Sequence, residues 1–115
     1  MRCVLELLFN PILISVILLF GCSKEETVYD VIKDSKYVVI DVRTKGEYNE
    51  KHVKGAINIP YDKIDSDIKL KKEEIILVYC KSGTRSNIAY NTLTKMGYKV
   101  VFDLGSIDNV KLPME

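Results

Sequence analysis

Two short apolar runs constrain this chain more than any other feature. Residues 37–42 read Tyr-Val-Val-Ile-Asp-Val and residues 75–79 read Ile-Ile-Leu-Val-Tyr. Both are too short for buried helices and too continuous for strands with one face in water. Runs of this kind suit strands covered on both faces, the usual condition of a parallel sheet. The intervening stretches have helical spacing. Val28, Val31 and Ile32 fall on one face of a short helix that Thr27 can cap. Thr44 can cap a helix over 45–51, in which Glu47 and Lys51 stand four apart as a surface ion pair. Residues 86–96 place Ile88, Ala89, Thr92, Leu93 and Met96 on one face, and Gly97 supplies the stop. Residues 56–59 form a brief strand ended by Pro60, and 61–72 give one or two helical turns around Ile64, Ile68 and Leu70. A last strand covers 99–104, followed by an irregular tail over 105–115. The order predicts an α/β fold with a mainly parallel sheet of four or five strands and helices on both faces.

At 115 residues the chain holds one domain. Its 17 basic and 16 acidic groups leave a net charge of +1, so no basic field exists to hold nucleic acid. Cysteine occurs at 3, 22 and 80, an odd and widely spaced set that excludes a disulfide framework and the paired spacings of a zinc site. No metal and no organic cofactor is implied. Residues 4–20 are largely apolar, most cleanly over 12–20, well short of the roughly 20 apolar residues a membrane span needs. With Arg2 ahead of it, the segment suits the core of a secretory signal.

That segment ends Leu19-Phe20-Gly21-Cys22, followed by polar Ser23-Lys24-Glu25-Glu26. This resembles a bacterial lipobox. The resemblance implies a signal peptide over 1–21, an acylated Cys22 at the head of a tether over 22–26, and a domain over 27–115. It implies a lipid-anchored protein of the bacterial cell envelope, outside the cytoplasm. Cys3 would leave with the leader, and Cys80 would then be the one free thiol. The alternative is an uncleaved anchor with an incidental Cys22.

The chemistry lies in Val78-Tyr79-Cys80-Lys81-Ser82-Gly83-Thr84-Arg85-Ser86. A thiol ends a buried strand, a loop with Gly83 at its middle follows, and a helix begins. In open α/β sheets ligands sit at the carboxyl ends of strands. Backbone N–H groups curling around one atom make an anion nest, and a helix N-terminus adds partial positive charge. Lys81 and Arg85 add full charges. All of these favour thiolate over thiol at Cys80. The bland reading is a buried, inert cysteine.

The segment Cys80-Lys81-Ser82-Gly83-Thr84-Arg85-Ser86 resembles the active-site loop of single-domain rhodaneses, the thiosulfate sulfurtransferases. A second block agrees: Asp41-Val42-Arg43, then Glu47-Tyr48, then His52-Val53-Lys54-Gly55-Ala56-Ile57-Asn58-Ile59-Pro60. Met96-Gly97-Tyr98 and the Leu-Pro-Met tail are similar to the small exported rhodaneses of the phage-shock-protein E type. The resemblance implies a rhodanese-like fold and a Cys80 persulfide that carries sulfur from a thiosulfate-like anion to a thiol or cyanide acceptor. It makes Lys81, Ser82, Gly83, Thr84, Arg85 and Ser86 the donor-binding loop, with Asp41 and Arg43 as supports. His52 reads as a structural hydrogen-bonding residue rather than as half of a catalytic dyad. The protein is expected to act as a monomer. Two rival readings differ in class. A cysteine-dependent phosphatase or arsenate reductase would have five residues between cysteine and arginine, where this chain has four. A non-catalytic or carrier module of the same family would bind a protein partner.

Overall fold

All strands of the sheet run in the same direction. The structure is a computed structural model that describes residues 27–115, so the expectations for Cys3, Cys22 and the leader lie outside the described residues. The strands are β1 (Tyr37–Asp41), β2 (Ile57–Asn58), β3 (Ile75–Cys80) and β4 (Val100–Ser106). They form a four-stranded sheet in the order β2-β1-β3-β4, parallel at every pairing. The sequence allowed four or five strands, and the described residues supply four. Among them no helix is long and apolar enough to cross a membrane.

The chain divides into a unit ending at Ser35 and a unit of Lys36–Glu115. The described part of the first is helix α1 (Val28–Ile32), held by a capping box between Thr27 and Asp30. The second unit contains the sheet, α2 (Lys45–Glu50), α3 (Ile64–Asp67) and α4 (Thr84–Lys95). Strand alternation sends Ile40, Val42, Ile76, Val78 and Cys80 to one face, where they pack with Ile64, Ala89, Leu93 and Tyr98. Burying each large aliphatic side chain there contributes about 1.5–3 kcal/mol. The other face of the two central strands carries Val39, Asp41, Leu77 and Tyr79, all buried.

The structure corrects the helical face predicted for 86–96. The buried stripe of α4 is Ser86, Ala89 and Leu93 with Tyr90 and Met96 beside it, whereas Ile88 is 43% exposed. The helix also starts at Thr84, two residues early, because Gly83 turns the chain into it with a φ of 100°. Only glycine adopts that left-handed angle without strain. A second correction concerns the end of the sheet. β4 runs through Ser106 because a bulge between Asp103 and Gly105 absorbs Leu104 and brings Gly105 and Ser106 level with Tyr79 and Cys80. The tail is also less irregular than its sequence suggests. Met114 makes an antiparallel bridge with Val53, and the backbones of His52 and Glu115 exchange two hydrogen bonds of 3.1 and 2.7 Å.

Candidate active site

The last residue of β3 is Cys80, and its thiol is fully buried. Three residues later the N–H of Gly83 points at the sulfur from 2.9 Å. Helix α4 then begins, and its first backbone bond runs from the Asn87 N–H to the Gly83 carbonyl. The N–H groups of Thr84, Arg85 and Ser86 precede that bond and have no partner within the helix. Ser86 lies one turn into α4, under the loop, with its hydroxyl oxygen 3.5 Å from the Cys80 sulfur and 3.1 Å from the Gly83 carbonyl oxygen. A hydroxyl can accept from a thiol or donate to a thiolate, so Ser86 suits either state. Burial pushes the Cys80 thiol up, but the Ser86 hydroxyl and the N–H groups of Ser86, Gly83 and Ser82 outweigh it and leave the pKa below that of an ordinary cysteine. Lys81, Ser82 and Thr84 are exposed and form the outer rim of the loop.

Arg85, the second cation of the loop, is paired. Its Nη1 and Nη2 donate to Glu47 Oε1 and Oε2 at 2.8 and 3.0 Å, a two-bond clamp. Glu47 in turn belongs to the capping box of α2, where its Oε1 accepts the Thr44 N–H at 3.2 Å and its own N–H donates to the Thr44 hydroxyl. The pair with Arg85 holds the Glu47 carboxyl at about 2, well below the usual carboxylate range. Sequence spacing paired Glu47 with Lys51, and the structure replaces that contact with one across 38 positions.

Asp41 and Arg43 lie on the sheet face opposite to Cys80, so they do not touch the sulfur. Arg43 donates to both Asp41 oxygens and, from Nη2, to the Lys51 carbonyl at 2.6 Å, where α2 ends. Asp41 also accepts the Tyr79 hydroxyl at 2.7 Å, and Tyr79 accepts the Val53 N–H at 3.0 Å. The effect is a relay of position: the ion pair fixes the end of α2, and α2 presents Glu47 to Arg85. Nothing local in the sequence marks the Tyr79 hydroxyl as one that bonds two distant residues. His52 has the structural role expected of it. Its Nδ1 donates to the Tyr48 carbonyl at 2.7 Å, and its ring stacks on Tyr48. Among the described residues no group of three or more His, Cys, Asp or Glu side chains could hold a metal ion.

A parallel α/β sheet that delivers a thiol into a tight loop at a helix N-terminus defines a class of small cysteine-loop domains. Within that class the chain belongs to the rhodanese-like domain family, whose model matches residues 24–112. It is 36% identical over 77 residues to the thiosulfate sulfurtransferase PspE of Escherichia coli, covering 64% of this chain and 74% of that protein. A probable molybdopterin-synthase adenylyltransferase of Porphyra purpurea is 37% identical over 78 residues, covering 64% of this chain and only 20% of the much longer relative. Among solved structures, a rhodanese from E. coli solved with anions superposes with a TM-score of 0.63 at 33% identity, over 70% of this chain and 98% of the other.

Proposed function

We propose that the chain is a sulfurtransferase working through a Cys80 persulfide. Membership of the rhodanese-like family supports a sulfurtransferase in general, and the loop geometry supports the route. The thiolate attacks the outer sulfur of a thiosulfate-like donor, forming the new S–S bond at Cys80 and releasing sulfite with the bonding pair. The persulfide sulfur then lies within reach of the loop N–H groups, and a thiol or cyanide removes it. The observation that carries this reading is the Gly83 N–H, 2.9 Å from a buried sulfur whose pKa is lowered. With four residues between Cys80 and Arg85, the ring suits a single sulfur atom better than a phosphoryl group. Treatment of reduced protein with thiosulfate should add about 32 Da at Cys80, the mass of one sulfur, and the Cys80→Ser variant should gain nothing. Thiocyanate release on adding cyanide completes the cycle. A stable persulfide that neither cyanide nor a thiol removes would identify a carrier module instead. No adduct on folded, reduced protein would refute the mechanism.

The same proposal includes location. The Leu19-Phe20-Gly21-Cys22 match supports a lipid anchor at Cys22 in a bacterial envelope, tested by metabolic labelling with a fatty-acid analogue. Label on wild type and none on Cys22→Ala is the expected result. An unlabelled protein with an intact N-terminus would point to an uncleaved anchor.

A further inference from the structure

The net charge of +1 averages over an uneven distribution, and the unevenness carries one inference further, which rests on the membrane anchor proposed above. Because every strand runs the same way, the segments that lead into β1, β3 and β4 gather at one end of the sheet, where Tyr37, Ile75 and Val100 stand level. Those segments carry six lysines, Lys36, Lys69, Lys71, Lys72, Lys95 and Lys99, against two glutamates, Glu73 and Glu74. The Lys99 N–H donates to the Lys72 carbonyl at 3.0 Å, and the Tyr98 hydroxyl donates to the Leu70 carbonyl at 2.7 Å, so the approaches to β3 and β4 are tied together. All six lysines are exposed, and none has an ion pair among the described residues. Glu74 is engaged elsewhere, since its Oε2 accepts the Lys71 N–H at 2.8 Å. The rest of the unit Lys36–Glu115 has eight basic side chains against nine acidic ones. One end of the sheet is basic, and the remainder is close to neutral.

We propose that the lysine end of the sheet lies on anionic lipid headgroups and turns the Cys80 loop toward water. Cys22 stands fourteen positions before Lys36, a reach of at most about 50 Å. Such a tether keeps the domain near the bilayer without choosing which end faces it, so surface charge makes the choice. A lysine close to an anionic leaflet strengthens the attraction about fivefold. From Ile75 to Cys80, β3 spans about 17 Å, twice the Debye length of about 8 Å at physiological salt. The acidic groups at the far end therefore do little to cancel the lysines. A chain held at a bilayer meets headgroups before any other polyanion, which favours lipid over nucleic acid as the partner. The thiol is thereby offered to donors and acceptors dissolved in water rather than to groups within the bilayer.

The test reconstitutes the full chain, with its anchor, in vesicles of phosphatidylcholine alone or mixed with phosphatidylglycerol. Brief acetylation followed by mass spectrometry then reads the rate at each lysine. Phosphatidylglycerol should slow the six lysines of the basic end several-fold, and high salt should abolish the difference. Lys45, Lys63 and Lys81, which follow β1, β2 and β3, should react alike in both vesicles. The combined variant Lys36→Gln, Lys69→Gln, Lys71→Gln and Lys99→Gln leaves two lysines against two glutamates. It should lose the protection at Lys72 and Lys95 and still load sulfur on Cys80 at the wild-type rate. Equal rates in the two vesicle types, for wild type that both retain, would overturn the inference and leave the anchor standing. So would slowing centred on Lys45, Lys63 and Lys81. Protection by added RNA with none by phosphatidylglycerol would assign the surface to nucleic acid and overturn the inference too. A chain that neither vesicle retains would remove the anchor reading, and this inference with it.

Discussion

The chain leaves β1 and β3 side by side at the same end of the sheet and builds opposite things there. Beyond β1 the polar groups are full charges buried against each other, with Asp41 serving Arg43 and Tyr79, and Arg43 serving α2. Among the described residues no buried side-chain nitrogen or oxygen is left without a hydrogen-bond partner, this cluster included. Beyond β3 the donors are backbone N–H groups aimed at one sulfur, and the nearby full charge, Arg85, is tied to Glu47. The two ends divide the labour. Charges lock position, where a wrong distance is costly in low dielectric. Fixed backbone dipoles hold the reacting atom, since they need no reorganisation when charge appears on it.

Substitutions can disable the thiol site and the buried charge cluster separately. Cys80→Ser should abolish sulfur loading, read by mass and thiocyanate release, with little change in melting. Asp41→Ala should do the reverse by leaving Arg43 buried and unpaired, at a cost of about 3–5 kcal/mol. For a domain this size each kcal/mol moves the midpoint by roughly 4–8 °C, so a thermal melt reads it easily. Pairing Asp41→Leu with Arg43→Met should recover much of that loss. Tyr79→Phe is a finer cut, since it strands the Val53 N–H and removes one donor to Asp41, for about 1–3 kcal/mol in a urea melt.

On the other side, Ser86→Ala sharpens the account of the thiolate. Cys80 titrates below an ordinary cysteine, so loading should rise with pH and level off earlier than a free thiol would. Removing the hydroxyl takes away a bond that favours the thiolate, so that plateau should move to higher pH. The smallest effect concerns Glu47. Its folded pKa is depressed to about 2, so its stabilising share is complete above the usual 4.5 and fades as pH falls toward 2. Wild type should lose up to about 1 kcal/mol relative to Glu47→Gln across that window, because the pair is partly exposed. Paired acid melts of the two proteins measure it.

How much of this was legible depends on range. The runs at 37–42 and 75–79, the Thr27 and Thr44 caps and the Gly97 stop are local signals, and the structure follows them. The cysteine loop was equally readable, since thiol, glycine and arginine are contiguous. Ile88 was misplaced because hydropathy ranks it above Ser86, whose hydroxyl is buried with partners on Cys80 and Gly83. The Glu47–Arg85 clamp, the Tyr79 hydroxyl bonds and the Met114 bridge join residues far apart in sequence, where periodicity carries no information. Glu47 had a visible local role in its capping box, and that role concealed the distant one.

The uniform strand direction has a kinetic consequence. No two neighbouring strands can zip from a hairpin turn, so each pairing waits for a crossover to close: Ile40 to Ile57, Ile40 to Val78, Val78 to Asp103. Loop entropy is lost before any sheet contact repays it, which places refolding toward the slow end for a chain this small, on the order of milliseconds to seconds. The central β1–β3 pair bridges the longest of these gaps and also seats both Asp41 and Cys80. The geometry of the thiol therefore cannot mature before the most distant contact in the sheet has formed.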